Sequence, residues 1–234
     1  MDGMDDILTL DIGAATIPLR LRRSARARRL ALRLDGHGDD VVLVLPRGVT
    51  VAVGLRFAED NAVWLANRLA ALPPRVPFVD GARVPLMGEI HVIRHRPDAR
   101  GTVWRADGVL HVAGGAEHLA RRLRDWLKGE ARRALASRAR SKAATLGRSV
   151  ARVSVRDTRS RWGSCSAKGN LNFCWRLILA PEPVLDYVVA HEVAHLAEMN
   201  HGPGFWRQVA RLTAEVDGPR RWLARNGARL HRYG

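Results

Sequence analysis

The sequence predicts an α+β protein: a strand-rich N-terminal part that also carries a helix, packed on a helical C-terminal part with a small sheet. Three observations predict it. Short β-branched runs, broken by Gly, Pro and Asp, fill the first 115 residues. From Ala116 onward the chain turns Ala/Arg/Leu-rich, with its apolar residues at helical spacing. Gly114-Gly115 marks the shift, so the division is expected there: 1–115 as a strand-rich accessory domain and 116–234 as a second domain. A length of 234 residues suits one large domain or two small ones.

The elements follow in order. Residues 7–12, 16–22, 28–34 and 41–45 have strand character, separated by Gly13, Ser24 and an Asp35-Gly36-His37-Gly38-Asp39 turn. Thr50 can cap a helix to about Leu72, with Val53, Phe57, Val63 or Trp64, and Ala66 on one face, before Pro73-Pro74 stops it. Strands resume from Val76 to Val112, with turns at Asp80-Gly81, Met87-Gly88 and Asp107-Gly108 and a hairpin from Thr102 to Val112. A long helix covers 116–146, its stripe being Leu119, Leu123, Trp126 or Leu127, Ala134 and Leu135. Residues 150–156 and 169–179 read as strands, the latter because Leu171, Phe173, Trp175, Leu177 and Leu179 alternate with other residues. Pro181 and Pro183 open a helix to about Asn200, Pro203 opens another, and a last one spans Pro219 to Leu230.

Composition narrows the class. The chain is 47% hydrophobic and 26% charged, as in a folded globular protein rather than a disordered one. Two cysteines exclude a disulfide scaffold and a zinc site made of cysteines alone. No apolar run reaches the roughly 18 residues of a membrane helix. Asp2, Asp5 and Asp6 ahead of a short apolar stretch do not make a signal peptide, so a cytoplasmic protein is expected. The net charge is +16, and all but Lys128, Lys142 and Lys168 of its 39 cationic residues are arginine. That surplus suits phosphate-bearing partners, nucleic acid or nucleotide, or else reflects a coding bias toward Ala, Arg and Leu. The run Arg20, Arg22, Arg23, Arg26, Arg28, Arg29 and Arg33 would give a positive strand edge.

The chemistry concentrates in His191-Glu192-Val193-Ala194-His195. On a helix, residues four apart lie above one another, so His191 and His195 can present two imidazoles to one ion. Glu192, rotated by about 100°, can reach a water on that ion without ligating it. A catalytic zinc takes three protein ligands plus a water. His201 is the preferred third ligand: Asn200 can end the helix as a left-handed cap, and Pro203 starts the next helix, so His201 sits in the bend between. Glu198 is the rival, but a helix cannot easily aim that carboxylate at an ion held by residues 191 and 195.

Three segments, Arg161-Trp162-Gly163-Ser164-Cys165-Ser166, Leu171-Asn172 with Trp175-Arg176-Leu177, and Asp186 to Leu196 with Asn200-His201 and Phe205-Trp206, make residues 158–206 resemble the YgjP-like metallopeptidase family, relatives of the SprT-like and WLM-type proteins of the zincin group. Residues 20–33 and 41–70 are similar to the family's N-terminal part more loosely. The resemblance implies a zincin-like metallopeptidase domain over 116–234, one Zn2+ on His191, His195 and His201, and Glu192 as catalytic base. Val193 stands where leucine is the commoner residue, a conservative change.

Other residues are weighed beside these. Arg161, Trp162 and Ser164 can shape the cleft, or form a turn with Trp162 in the core and Gly163 at the bend. Asn172 lies on a strand that can accept an extended peptide by backbone hydrogen bonds, or is a plain sheet strand. Tyr187 can offer a hydrogen bond to a transition state, or pack in the core. Cys165 reads as a small buried side chain rather than a fourth ligand. Phe205, Trp206, Val209 and Leu212 read as a helix packing face. The expected function is a zinc-dependent hydrolase acting on peptides. The alternatives are a metal-dependent nucleoside triphosphate pyrophosphohydrolase, with arginines on the phosphates, and a nucleic-acid-associated protein with an accessory protease domain.

Overall fold

The computed structural model describes residues 7–12, 15–34 and 41–234. Asp2, Asp5, Asp6, Gly13 and the expected turn at 35–39 lie outside them. The chain forms two compact units, Met1–Pro73 and Pro74–Gly234. Gly114-Gly115 falls inside the second unit, away from the expected division at 115. The reason is a shared core: Val84, Ile93, Leu110 and Val112 from the middle strands are buried together with Leu123, Leu127, Phe173 and Trp175. The composition shift at 114–115 therefore marks a change of secondary structure within one core.

In the first unit, β1 (Ile7–Ile12), β2 (Ala15–Ser24), β3 (Ala31–Leu34) and β4 (Val41–Pro46) form a sheet in the order β1-β2-β4-β3. Leu10, Leu19, Leu21, Leu43 and Leu45 are buried with Ala58 and Leu65 of the helices that follow. The single helix expected over 50–72 is two, α1 (Val51–Asp60) and α2 (Ala62–Ala70), with Thr50 Oγ1 accepting the Val53 N–H at the first cap. At the break, Asn61 Nδ2 donates to the Phe57 carbonyl at 2.7 Å, a side-chain bond of the kind that competes with helix continuation. The buried face is Gly54, Ala58 and Leu65, while the expected Val53, Val63 and Trp64 are exposed. β2 is an interior strand, so the arginine run does not form a strand edge: Arg20 and Arg33 both pair with Val42 and Arg22 pairs with Val44, placing these three on one sheet face, while Arg26, Arg28 and Arg29 lie in the connection between β2 and β3.

The second unit begins with β5 (Arg83–Leu86), β6 (Glu89–Arg96), β7 (Val103–Ala106) and β8 (Val109–Ala113), ordered β5-β6-β8-β7. Its hairpins turn at Met87-Gly88 and Asp107-Gly108, all four residues with positive φ, as two-residue turns matched to strand twist require. Helix α3 (Leu119–Thr145) buries Leu119, Leu123, Leu127, Ala131 and Leu135 along one stripe. Then come β9 (Arg152–Arg156), β10 (Gly163–Cys165) and β11 (Asn170–Cys174), ordered β10-β11-β9. The strand expected over 169–179 ends at Cys174 and passes into a 3-10 helix at Trp175–Leu179, all five residues of which are buried. Alternation fails there because no side of the segment faces water. Helices α4 (Glu182–Ala194), α5 (Pro203–Leu212) and α6 (Asp217–Leu230) complete the unit. No helix among the described residues is long and apolar enough to cross a membrane.

Candidate metal centre

Helix α4 enters the core with Val184, Leu185, Val188, Val189 and Val193 buried on its several sides. A helix apolar nearly all round is fixed by packing rather than by an amphipathic face, which holds its polar residues rigidly. It ends at Ala194, sooner than the expected Asn200, and His195 is the C-cap residue with helical dihedrals (φ −65°, ψ −16°). The helical spacing of His191 and His195 therefore survives at its last turn. Asn200 is not left-handed. The chain instead reverses through a tight turn in which the Gly202 N–H donates to the Asn200 carbonyl at 2.8 Å. This returns His201 to the helix.

The coordinating atoms offered by His191, His195 and His201 all lie within 4.8 Å of one another. His191 Nε2 and His201 Nε2 are 3.2 Å apart. Nitrogens bound to one tetrahedral zinc at roughly 2.0–2.1 Å would stand about 3.3 Å apart, so the spacing fits a shared cation. Burial, then the neighbouring His195 and His201 and Arg220, holds the His191 imidazolium pKa down at about 4. His195 is lowered mainly by burial. Near pH 7 these two rings are therefore neutral and can donate lone pairs. His195 Nδ1–H donates to the Glu198 carbonyl at 3.0 Å, which leaves Nε2 for an ion. His191 Nδ1 is buried without a partner among the described residues, so the ring's polar contact lies at Nε2. The chemistry of three imidazoles with no competing carboxylate suits zinc.

Glu198 does not join this set. Its carboxyl lies against Gly204 at the start of α5, and its backbone carbonyl orients His195. Beneath the three imidazoles lies Phe205, fully buried, with ring centroids 4.9 Å from His191, 4.5 Å from His195 and 4.6 Å from His201. The sequence marks Phe205 only as a packing residue. What it packs is the cluster of three imidazoles itself, and only the return of the chain at 200–202 reveals that.

Glu192 is 7% exposed, and burial, opposed by the Arg161 charge, raises its carboxyl to about 7. It is covered by Gly163, the first residue of β10. A Cβ built there would stand 2.5 Å from Glu192 Cγ and 2.6 Å from Oε1. Gly163 therefore makes room for the carboxylate rather than supplying the expected bend, and β10, not β11, is the edge strand beside the site.

Beside Glu192 opens a pocket of about 280 Å3, lined by Arg161, Trp162, Gly163, Tyr187, Val188, His191 and Leu223. Trp162 stacks on His231 at 4.9 Å, and Tyr187 meets His191 edge-on at 6.0 Å. Of the expected cleft residues, Arg161, Trp162 and Tyr187 thus line this pocket. Ser164 and Asn172 pair across the two strands, out of phase with Gly163 and Cys165. Since Gly163 faces Glu192, strand alternation turns Ser164 and Asn172 to the opposite side. Cys165 stays outside the histidine set, and burial, reinforced by the Glu192 charge, pushes its thiol up to about 11.

Three imidazoles converging from the end of α4 and the turn after it, beside a buried carboxylate on that helix and an edge strand, are the layout of a metal-dependent hydrolase. The family pattern described as "YgjP-like, metallopeptidase domain" matches residues 28–226, and the chain belongs to this YgjP-like family of metal-dependent peptidases. No curated protein matches the sequence. Among solved structures, the metallopeptidase zymogen of Pyrococcus abyssi abylysin is similar over 42% of this chain and 97% of its own, at 21% identity and a TM-score of 0.36.

Proposed function

We propose that the protein is a zinc peptidase in which His191, His195 and His201 hold one Zn2+ and Glu192 is the general base. The observation that carries this reading is the 3.2 Å approach of two imidazole nitrogens beside a carboxyl that is buried and held near neutrality. Bound there, zinc would polarise the scissile carbonyl and acidify the attacking water. Glu192 takes the proton from that water and delivers it to the leaving amine, for which a carboxyl poised near pH 7 is suited. Gly163 lets the carboxylate lie against the backbone of β10, and the free edge of that strand offers hydrogen bonds to an extended peptide. Arg161 and Tyr187 stand at the same pocket, where a guanidinium or phenol can meet a carbonyl oxygen that gains charge.

The test is metal analysis with a peptide-cleavage assay on the wild type and Glu192→Gln. Glu192→Gln should keep one zinc per chain and lose roughly 10²–10⁴-fold in turnover. Full activity in that variant would remove Glu192 as the base. His191→Ala should lose metal and activity together. A second reading, hydrolysis of a nucleoside triphosphate, is favoured by the guanidinium of Arg161 at the Glu192 pocket and by Arg220 near His191. Release of pyrophosphate by the zinc-loaded wild type, with no peptide cut, would establish it instead.

A further inference from the structure

A second cavity, of about 380 Å3, opens beside His195. His195 is one of its walls. The others are Arg148, Ser149 and Ala151, between α3 and β9, the Ser166–Gly169 turn that joins β10 to β11, and Leu196, Ala197 and Met199 after α4. Two cations, Arg148 and Lys168, face this space. Among the described residues neither has a side-chain ion pair or hydrogen bond, in contrast to Lys142, which is held by Asp186, or Arg176, which is held by Asp157. No Asp or Glu lines the cavity.

Local structure sets these charges in place. Helix α3 closes with the Arg148 N–H donating to the Ala143 carbonyl at 2.9 Å. The β10–β11 turn is closed by the Gly169 N–H to the Ser166 carbonyl at 2.8 Å and by the Asn170 N–H to Ser166 Oγ at 3.2 Å. Gly169 takes φ +73°, which a side chain would resist, and the turn thereby presents Lys168 at its corner.

Strand β10 connects the two cavities. Its Gly163 end borders the pocket of Trp162, Tyr187, Val188 and Leu223, and Ser166, just past its other end, borders the pocket of Arg148 and Lys168. An extended chain advances about 3.3 Å per residue, so a peptide laid along this edge would span the two pockets in roughly three to four residues. The scissile bond would then lie between them, opposite Glu192.

We propose that the Arg148–Lys168 cavity is a substrate subsite for a carboxylate, so that the enzyme cuts peptides bearing an acidic group on one side of the scissile bond and an apolar residue on the other. This rests on the peptidase reading above. The carboxylate comes either from an Asp or Glu side chain or from the C-terminus of the peptide. Two cations without acidic neighbours favour a carboxylate over its amide isostere, and a Lys or Arg side chain is repelled from the same space.

The experiment uses the zinc-loaded full chain with a peptide set in which Glu, Gln or Lys occupies each position within four residues of a fixed Leu, with a free or an amidated C-terminus. Glu is expected to exceed Gln by at least about tenfold in kcat/KM at one position, or the free C-terminus to exceed the amide by that factor; which of the two occurs identifies the carboxylate's source. Arg148→Glu/Lys168→Glu should invert the order so that Lys is preferred, and Arg148→Gln/Lys168→Gln should level it. Both residues are exposed, so neither double variant disturbs the core. Binding of the same peptides to Glu192→Gln gives a readout independent of turnover and should follow the same order. Cleavage with no acidic preference, or with a preference that charge reversal leaves in place, overturns the subsite alone. No peptide cut and none bound overturns the peptidase reading and the subsite with it.

Discussion

Replacing Gly163 by Ala tests how the site holds Glu192, the proposed base. The added methyl would meet Glu192 Cγ at 2.5 Å and Oε1 at 2.6 Å, where ordinary contact begins at 3.4 Å. Something must move by roughly 1 Å, since repulsion rises steeply inside contact distance. β10 is tied to β11 on one side, with Gly163 opposite Phe173 in the register, and Phe173 is fully buried. The strand therefore resists displacement, and the glutamate side chain, with several torsions, yields first. A displacement of that size at a catalytic group costs on the order of 10²-fold in rate. The imidazoles lie outside this contact, so zinc stoichiometry and affinity should be unchanged. The overpacking itself costs about 1–3 kcal/mol of stability. The assay is steady-state turnover beside metal content and thermal unfolding of the purified variant. Wild-type turnover in Gly163→Ala would refute the reasoning, as would a loss of zinc equal to the loss of activity, because either result would mean that Gly163 does not act through Glu192.

Three further outcomes are expected. Phe205→Leu removes the flat surface under three imidazoles while keeping most of the apolar volume; zinc affinity should fall by about ten- to a hundredfold, the range typical for supporting residues around a metal, and competition with a chromophoric chelator measures it. Arg176 is 1% exposed and donates to Asp157 and to the Leu230 and Tyr233 carbonyls, so Arg176→Ala should cost about 2–4 kcal/mol in denaturant unfolding by removing these charge-assisted bonds; an effect below about 1 kcal/mol would contradict the assignment. In metal-free protein, the Glu192 carboxyl is raised from 4.5 to about 7, so the folded state favours its protonated form. The wild type should then match Glu192→Gln below about pH 4.5 and become progressively less stable than it as pH rises to 7, by up to about 3 kcal/mol. A difference that stayed flat across this interval would show that the carboxyl is not desolvated.

The part of the site that the sequence discloses is the part that local geometry fixes. His191 and His195 are one helical turn apart whatever surrounds them, and Pro203 after a short link forces the chain near His201 to bend. The details of that bend are not set by local sequence. A left-handed Asn200 and the observed turn to Gly202 both return the chain, and composition does not choose between them. Period-two alternation at 169–179 was real as a pattern, but Trp175–Leu179 is buried on every side, and Arg176 satisfies its guanidinium with Asp157 and two main-chain carbonyls far along the chain. A buried arginine at an alternating polar position looks like a solvated one until its partners are located. Likewise the break at Asn61, where a side-chain hydrogen bond to the Phe57 carbonyl joins the backbone cap bonds, changes which residues of the N-terminal helices meet their sheet.

What tertiary structure adds is the supply of small parts from distant segments. Gly163 gives Glu192 its space, Phe205 gives the imidazoles their floor, and Glu198, unsuited as a ligand, orients His195 through its main chain. Arg176 also binds the segment around residues 230–233, and His231 within that segment carries the stacked Trp162 that walls the cleft. A chain of contacts therefore runs from the Arg176–Asp157 ion pair to the pocket walled by Trp162. It implies that loosening the C-terminal segment should alter the apolar side of the cleft before it reaches the metal, because the histidines are fixed independently by α4 and by Phe205. Deleting residues 231–234 should accordingly raise KM for peptides with a bulky apolar residue while zinc stoichiometry holds. Loss of zinc in that truncation would show instead that the cleft wall and the metal centre form a single cooperative unit.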